Sequence, residues 1–323
     1  MNAESFRSEL NLPVAQQKMN LRDSVITIGS CFSDVIGSYL KESKINSLSN
    51  PFGTVYNPIS IFNLLKENEW DESKFVEHSG SFFHYDAHSS FFSTSQKLLS
   101  KQLTACKHVV LKELGKADWL VITFGTTDVY RLKGSGKIVS NCHKMPQKHF
   151  TKESLSIGEI SEAFEGFYKE LKENNSKISL LLTVSPVRHI KDGLENNSVS
   201  KSKLRVICDT LQAKFNDVFY FPSYEIMMDE LRDYRFYKKD MIHPNDLAEE
   251  YIWNKFQQTY LDSETRDFIK KWMKIKEAIG HKPFNSESEA HQRFLINTLD
   301  ALQKLKKHVN VSQEEKILRD QIV

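Results

Sequence analysis

The chain has 323 residues, enough for one large domain or two modest ones with a proper hydrophobic core. Hydrophobic residues make up 40% of the chain and charged residues 27%, a composition that excludes an intrinsically disordered protein. The 44 basic and 42 acidic side chains leave a net charge of +2, so the sequence lacks the basic footprint that is typical of a nucleic-acid-binding protein.

Strand-like and helix-like patterns alternate along the chain. Short apolar runs that end at a turn predict strands, and apolar residues that recur every three or four positions predict helices. In chain order the first predictions are a strand at 24–29, helices at 33–43 and 60–66, a strand pair or packed loop at 81–92, a helix at 93–114 and a strand at 118–124. They continue with a helix at 155–174, a strand at 177–184, a helix at 199–215, a strand at 217–221 and a helix at 244–260. Pro244 would lie in the first turn of that last helix.

Three of these strands are continuous apolar runs, which is typical of a parallel sheet that helices cover on both faces. We therefore expect an α/β domain over residues 1–261 and a helical C-terminal appendage, interrupted at 280–285, over residues 262–323. Two amphipathic stripes in the appendage should bury against the main domain or a second subunit. They consist of Phe268, Trp272, Ile275 and Ile279, and of Phe294, Leu299, Leu302 and Leu305.

No apolar run reaches the ~18 residues that a membrane-spanning helix needs, and Met1 to Asn20 lacks the pattern of a signal peptide. A cytoplasmic protein is therefore expected. The cysteines are scattered without a C-x-x-C pair, so their spacing is typical of neither a disulfide framework nor a zinc ribbon. They are Cys31, Cys106, Cys142 and Cys208. A functional cysteine would act as a single reactive thiol.

The turn after the first strand carries the first candidate catalytic group. The segment Gly29-Ser30-Cys31-Phe32-Ser33 would place Cys31 at a helix N-terminus, where free N–H groups favour negative charge. A thiol there would have a lowered pKa and act as a nucleophile, and the same N–H groups would stabilise an oxyanion. On this motif alone, a tight turn with a small buried cysteine is the simpler interpretation.

Three further short motifs lie in predicted loops or at strand ends. Asp240 stands three residues before His243, a spacing at which a carboxylate can orient an imidazole as a general base. Residues 124–128, FGTTD, end a buried strand, and residues 51–54, PFGT, offer a glycine N–H in a loop. Each motif also fits a plain turn or an incidental surface pair.

The order of these motifs resembles that of the SGNH (GDSL-type) hydrolases. A nucleophile turn after the first strand, a glycine loop, a Gly-x-x-Asp and a late Asp-x-x-His follow the block order of that superfamily. More closely, the string GSCF looks like the motif for which the GSCFA family is named. The strings NCHK, SPVRH, YFPSYE, DYRFY and DMIHP, which begin at residues 141, 185, 220, 233 and 240, also resemble it. The resemblance spans about residues 22–260 and implies a three-layer α/β/α flavodoxin-like sandwich.

The resemblance also implies catalytic roles. Cys31 stands at the position of the SGNH nucleophile, and Ser30, one position earlier, is the alternative nucleophile. His243 and Asp240 match the last block, as general base and orienting carboxylate.

The implied oxyanion hole departs from the superfamily pattern. Gly53 matches the block that supplies a backbone N–H, whereas Thr127 stands where the superfamily has Asn. Asn141 is the alternative side-chain donor. These departures, with Cys in place of Ser, leave transfer chemistry or a non-enzymatic role open beside simple ester hydrolysis.

Six polar side chains are candidates for binding the substrate: His84, His88, Asp128, His143, Arg188 and His189. Arg188 and His189 follow a predicted strand, where they would bind an anionic group or cap the strand end. His84, Asp86 and His88 would be a two-histidine, one-carboxylate metal set, although cleft lining or packing is the preferred interpretation. No metal or other cofactor is expected.

The combined expectation is an SGNH-like acyl-transfer enzyme, an ester or thioester hydrolase or O-acyltransferase that acts through a covalent acyl-enzyme. Its substrate would be a small-molecule or carbohydrate acyl ester. The main alternative is a catalytically degenerate SGNH fold that binds carbohydrate or a partner protein. A metal hydrolase that uses the two-histidine set is a second alternative.

Overall fold

The computed structural model describes residues 8–66 and 69–322, so the first part of the predicted N-terminal segment lies outside the described residues. The strands are β1 (Ser24–Gly29), β2 (Asn46–Ser49), β3 (Phe75–His78), β4 (Ser81–His84), β5 (Trp119–Phe124), β6 (Asp128–Leu132), β7 (Ile138–Val139), β8 (Phe150–Ser154), β9 (Ser179–Val184) and β10 (Val218–Tyr220). The helices are α1 (Cys31–Glu42), α2 (Pro58–Leu65), α3 (Gln96–Leu114), α4 (Ile157–Asn174), α5 (Leu194–Lys214), α6 (Ser223–Glu225), α7 (Asp246–Tyr260), α8 (Ser263–Gly280), α9 (Glu289–Leu305) and α10 (Ser312–Arg319).

Five parallel strands form the central sheet, in the order β2-β1-β5-β9-β10. Numbered among themselves, these strands have the flavodoxin-like order 2-1-3-4-5. Gly29 at the end of β1 pairs with Thr123, and the Ser185 N–H after β9 donates to the Phe124 carbonyl at 2.9 Å. The carboxyl ends of β1, β5 and β9 therefore meet at one edge, as parallel strands require, and the predicted parallel sheet is confirmed.

Helices cover both faces of this sheet, because alternate strand residues point to opposite sides. On one face Val25, Val121 and Leu181 pack in a buried cluster with α1 and α7. On the other face Ile26 and Ile122 pack with α2, α3, α4 and α5. The predicted three-layer α/β/α sandwich is confirmed. Burial on both faces explains why these strands read as continuous apolar runs.

The C-terminal helices extend the α1/α7 layer. Phe268 and Trp272 of α8 and Leu302 of α9 belong to the same buried cluster as α1 and α7. The Trp272 indole N–H donates to the Glu42 carbonyl at 2.7 Å. The first predicted stripe packs in this cluster, with Ile279 partly buried, whereas the second stripe lies on α9, which packs against α8 and α10 and leaves Phe294 38% exposed. The boundary between residues 261 and 262 remains a prediction.

Two small antiparallel sheets lie outside the central sheet, and of their strands the sequence analysis anticipated only β4, within the strand pair or packed loop at 81–92. β3 pairs with β4, and β6 lies between β7 and β8. Their strands are short and mostly half-buried or exposed, so they lack the long apolar run that marks a central strand. The aromatic segment at 81–92 supplies β4 and the loop that follows it.

Capping residues move several predicted helix boundaries. α1 begins at Cys31 because Ser30 caps it, two residues earlier than predicted. α7 begins after Asn245, whose side chain accepts from the Ala248 N–H at 3.1 Å, so Pro244 precedes the helix instead of lying in its first turn. No helix in the described part of the chain combines the length and apolar character that a membrane crossing requires.

Candidate active site

A cleft of about 220 Å³ opens at the edge where β1, β5 and β9 end. It is lined by Ser30, Cys31, Tyr56, Gly125, Ser185, Val187, Arg188, His189, Ile242 and His243. The fold thus brings the turn before α1 together with the loop before α7, which are far apart in sequence. A larger cavity of about 430 Å³ lies beside Trp70 and α3, away from this cleft.

Gly29 and Asn50 fix the turn that presents Cys31. Gly29 has a φ of +136°, and a Cβ there would lie 2.1 Å from the Thr123 carbonyl oxygen, so only glycine fits. The Asn50 side chain accepts from the Gly29 N–H at 2.9 Å and donates to the Ser30 carbonyl at 3.3 Å. These contacts place Cys31 as the first residue of α1.

Ser30 is a structural part of the cleft floor. Its side chain is fully buried, its hydroxyl donates to Ser185 Oγ at 2.9 Å, and it accepts from the Phe32 N–H at 3.3 Å. The neighbouring Cys31 is half-buried. Of the two predicted nucleophiles, Cys31 therefore has the accessible side chain.

The Cys31 thiol does not have the low pKa that the sequence predicts. Burial raises the pKa of this thiol above its ordinary value, and the carboxylate of Asp34 raises it further. The Cys31 backbone N–H and the cationic Lys201 act in the opposite direction. The expectation of a lowered pKa is wrong because lost hydration outweighs the helix N-terminus, so the thiol needs a base.

His243 and Asp240 form the pair that the spacing predicts. His243 Nδ1 lies 2.6 Å from Asp240 Oδ2, and Asp240 Oδ1 accepts from the backbone N–H groups of His243 and Ile242 at 3.0 and 2.9 Å. These hydrogen bonds lower the pKa of Asp240 to about 2. With Nδ1–H donated to the carboxylate, Nε2 is left as the proton acceptor of His243, which is one of the residues that line the cleft.

The three predicted oxyanion donors lie outside the cleft lining. The Gly53 N–H donates to the Asn50 carbonyl at 2.7 Å. Thr127 is fully buried, with its hydroxyl 2.9 Å from Ser154 Oγ. Asn141 donates to Ser89 Oγ at 3.0 Å. Gly53 and Thr127 therefore use these groups within the fold, and Asn141 lies away from the cleft lining, so this geometry does not support those roles.

A different backbone donor is available at the cleft. As the first residue of α1, Cys31 has an N–H that helical hydrogen bonding leaves unpaired. Among residues 8–66 and 69–322, this N–H forms no hydrogen bond with another residue. It lies beside its own thiol, where it lowers the thiol pKa.

Three of the predicted substrate-binding histidines do not line the cleft. His84 is fully buried between aromatic rings, and burial lowers its pKa to about 4. His143 lies 2.8 Å from the His84 carbonyl and stacks on Phe83. His88 packs against Gly53. These positions indicate packing, and none of the three histidines is among the residues that line the cleft.

The predicted metal set does not assemble. Asp86 forms an ion pair with Lys74 at 2.8 Å, and the Asp86 N–H donates to His84 Nδ1 at 3.1 Å. Within the described ranges, the group whose ligand atoms lie close enough together for a cation is Asp128, His189 and Asp192. Lys152 pairs with both of those carboxylates and already supplies their positive charge. The structure therefore does not favour a metal hydrolase.

Arg188 and His189 do line the cleft. The Arg188 guanidinium stacks 4.0 Å from the Tyr237 ring centre and 5.3 Å from that of Tyr234. The His189 backbone N–H donates to the Asn197 side chain, and burial lowers the pKa of its imidazole. Arg188 is therefore the cationic side chain of the two near neutral pH.

The sequence analysis did not propose a functional role for three polar residues at the site: Tyr56, Ser185 and Lys201. Ser185 could have been found, because it begins the SPVRH string at a strand end. Lys201 is 1% exposed on α5 and donates to the Ser185 carbonyl at 2.7 Å. No sequence signal distinguishes it from the surface lysines of the same helix.

Two family models match the chain: the GSCFA family over residues 24–256, and the GSCFA domain protein, C-terminal domain, over residues 272–323. No curated protein matches it. One similar solved structure is a family two carbohydrate esterase from Clostridium thermocellum, at 10% identity and a TM-score of 0.34, covering 83% of this chain and 67% of that one. Another is an acetyl xylan esterase from Butyrivibrio proteoclasticus, at 12% identity and a TM-score of 0.33, covering 77% and 67%. Both TM-scores are too low for either likeness to bear on function.

Proposed function

This chain belongs to the GSCFA family, and from the cleft that Cys31 and His243 share we propose that it is an SGNH-like acyl-transfer enzyme. The reaction is ester or thioester hydrolysis, or transfer of the acyl group to an acceptor hydroxyl, through a covalent acyl-enzyme. The observation that carries the proposal is the His243–Asp240 hydrogen bond, because His243 lines the same cleft as Cys31, the first residue of α1.

In the first step, His243 Nε2 takes the proton of the Cys31 thiol while Sγ attacks the acyl carbonyl carbon. Asp240 holds the imidazole through Nδ1 and stabilises the imidazolium that forms. Because burial raises the pKa of the thiol, this transfer to a base is what makes Cys31 a nucleophile.

The carbonyl oxygen becomes an oxyanion, which the free Cys31 N–H and the positive end of α1 stabilise. When the intermediate collapses, the carbon–oxygen or carbon–sulfur bond to the leaving group breaks, and the His243 imidazolium protonates that group. Water or an acceptor hydroxyl then gives its proton to His243 and attacks the acyl-enzyme. The bond between the acyl carbon and Cys31 Sγ then breaks, and the released Cys31 thiolate recovers its proton from His243.

The substrate that we propose is a small or carbohydrate-borne acyl ester. A cleft of about 220 Å³ admits a short acyl group and leaves the rest of the substrate outside. Arg188 at its wall attracts an anionic or strongly polar substrate group. A cytoplasmic location belongs to the proposal, since a reducing compartment keeps a catalytic thiol free.

The test is intact-mass detection of an acyl adduct after incubation with short acyl aryl esters and thioesters. Wild type and Ser30→Ala should carry the adduct, whereas Cys31→Ala should lose it. Cys106→Ala is the matched control, because Cys106 is also a half-buried free thiol but lies outside the cleft lining. An adduct that survives in Cys31→Ala and disappears in Ser30→Ala would move the nucleophile to Ser30.

A binding module is the second candidate. The observation that favours it is that the Gly53 N–H and the Thr127 hydroxyl form hydrogen bonds within the fold. Fewer hydrogen-bond donors are then available to stabilise an oxyanion. Alkylation separates the two functions. If Cys31 is catalytic, His243→Ala should slow its alkylation near neutral pH, because the imidazole is the base that takes the thiol proton. Equal alkylation rates in wild type and His243→Ala, with no adduct from any ester, support the binding module.

A further inference from the structure

A second cavity, of about 210 Å³, shares Arg188 with the cleft. We call it the tyrosine pocket, and it is lined by Arg188, Met227, Met228, Leu231, Arg232, Asp233, Tyr234 and Tyr237. Met227 and Leu231 are buried, whereas Tyr234 is 64% exposed. The pocket is smaller than the sites that enclose drug-sized ligands, so it has room for one end of a larger molecule.

Arg188 lies against two tyrosine rings of this pocket. Its guanidinium carbon is 4.0 Å from the ring centre of Tyr237 and 5.3 Å from that of Tyr234. A guanidinium that stacks on aromatic rings uses its face, and its N–H donors, which lie in the guanidinium plane, stay available to other groups. Nη1 forms a long hydrogen bond with the Met241 carbonyl, at 3.4 Å. The edge of the guanidinium therefore still offers donors to a planar anion.

The charge of Arg188 is not balanced within the pocket. Among residues 8–66 and 69–322, no carboxylate forms an ion pair with Arg188. The other two charged side chains of the lining do have partners: Arg232 pairs with Asp229, and Asp233 pairs with Arg235 at 3.1 Å. Arg188 is half-buried, and a partly desolvated cation without a counter-ion favours the binding of an anion.

The backbone of Arg188 connects the pocket to the catalytic loop. The Arg188 N–H donates to the Ile242 carbonyl at 3.2 Å, and Ile242 directly precedes His243. Arg188 and His243 line the cleft together with Cys31. A ligand that Arg188 anchors in the tyrosine pocket can therefore extend along the protein into the cleft.

We propose that the tyrosine pocket is a subsite for an anionic group of the substrate, a carboxylate or a phosphate, and that Arg188 is the residue that selects this group. The inference rests on the proposed function, because it takes the cleft as the site of acyl transfer. The in-plane N–H groups of Arg188 bind the anion, and Tyr234 with the two methionines packs against the short apolar segment that bears it. This segment belongs either to the acyl group or to the leaving group, and the recognition chemistry is the same for both.

The first experiment measures binding to the full chain without any ester. NMR spectra of ¹³C-methyl-labelled methionine report on Met227 and Met228, and Met227→Leu and Met228→Leu assign their signals. Benzoate and phenyl phosphate, which carry an anion on a small apolar ring, should shift these signals saturably. Benzamide has a similar shape without the charge and should shift them little. No saturable shift with either anion, or equal shifts with benzamide, would overturn the proposal.

Three variants test whether Arg188 holds the anion. Arg188→Met should weaken anion binding at least about tenfold, because charge-assisted hydrogen bonds are lost. Arg188→Lys keeps the charge without the planar pair of donors and should retain part of the affinity. Arg293→Met is the matched control, because it removes an exposed arginine on α9 that pairs with Glu289, and it should leave anion binding unchanged. Undiminished anion binding in folded Arg188→Met contradicts the assignment.

Two pairs of esters locate the anionic group on the substrate. For the leaving group, 4-acetoxybenzoate is compared with 4-acetoxybenzamide. For the acyl group, the phenyl half-ester of adipic acid is compared with the amide of the same half-ester. Intact-mass measurements follow the rate at which the adduct forms on Cys31. Wild type should favour the charged member of one pair, and Arg188→Met should lose that preference. Adducts that form from all four esters without a charge preference would overturn the proposal.

The binding experiment uses no acyl substrate, so the subsite and the proposed function can fail separately. Anion binding that depends on Arg188, without an adduct from any ester, would support the subsite and refute acyl transfer. Adduct formation by a protein whose Met227 and Met228 signals do not respond to the anions would support acyl transfer and refute the subsite.

Discussion

Replacing Ser30 with alanine should destabilise the fold and still leave an acyl adduct on Cys31. Ser30 has no exposed surface, and its hydroxyl makes two contacts inside the protein. It donates to Ser185 Oγ at 2.9 Å and accepts from the Phe32 N–H at 3.3 Å. A hydroxyl held in this way stabilises the turn and does not reach a substrate.

The size of the effect follows from these two contacts. Losing a helix N-cap costs about 1 kcal/mol, and the long cap bond places Ser30 at or below that value. Losing a buried hydroxyl hydrogen bond costs about another 1 kcal/mol. We therefore expect the free energy of unfolding to fall by about 2 kcal/mol in Ser30→Ala, with about half of this loss shared with Ser185.

A double-mutant cycle with Ser185→Ala measures that shared part. Urea unfolding followed by tryptophan fluorescence should give a coupling of about 1 kcal/mol between the two positions. The exposed Ser176→Ala should change the free energy of unfolding little. Strictly additive losses would show that the Ser30–Ser185 hydrogen bond contributes nothing, and loss of the adduct in Ser30→Ala would refute its structural role.

Asp240→Asn should keep the protein folded but lower acyl turnover at least about tenfold, because the imidazole of His243 loses its orienting charge. The pKa of Asp240 is lowered from 3.8 to about 2, so its contribution to stability is present above pH 3.8 and is lost as the pH falls toward 2. The free energy of unfolding, measured against pH, should show this loss in wild type and not in Asp240→Asn. Trp272→Ala should lower the free energy of unfolding by about 3–5 kcal/mol, because the buried ring joins α8 to α1 and its N–H donates to the α1 backbone. Phe284 is fully exposed, so Phe284→Ala should change the free energy of unfolding little. A chain truncated after Ser263 that stays soluble, monomeric and as stable as the full chain would contradict this packing.

The sequence by itself determined the features that depend on neighbours along the chain. Continuous apolar runs at 24–29, 118–124 and 177–184 predicted the central parallel strands, because a strand buried on both faces must be apolar throughout. Asp240 and His243 could be paired because a three-residue spacing in one loop brings their side chains together locally. The short strands β3, β6, β7 and β8 could not be predicted, because partly exposed strands take their form from the strands with which they pair.

The tertiary structure decided which polar groups are free and how each group is charged. The Gly53 N–H forms a hydrogen bond with the Asn50 carbonyl, and the Thr127 hydroxyl forms one with Ser154. A short sequence motif does not reveal these partners. Cys31 sits at a helix N-terminus, as its motif predicts, yet burial raises its pKa instead of lowering it. Lys201 enters the site only because α5 packs against the sheet and directs it under β9. Desolvation and through-space charge depend on segments distant in sequence, so these properties arise only when the chain has folded.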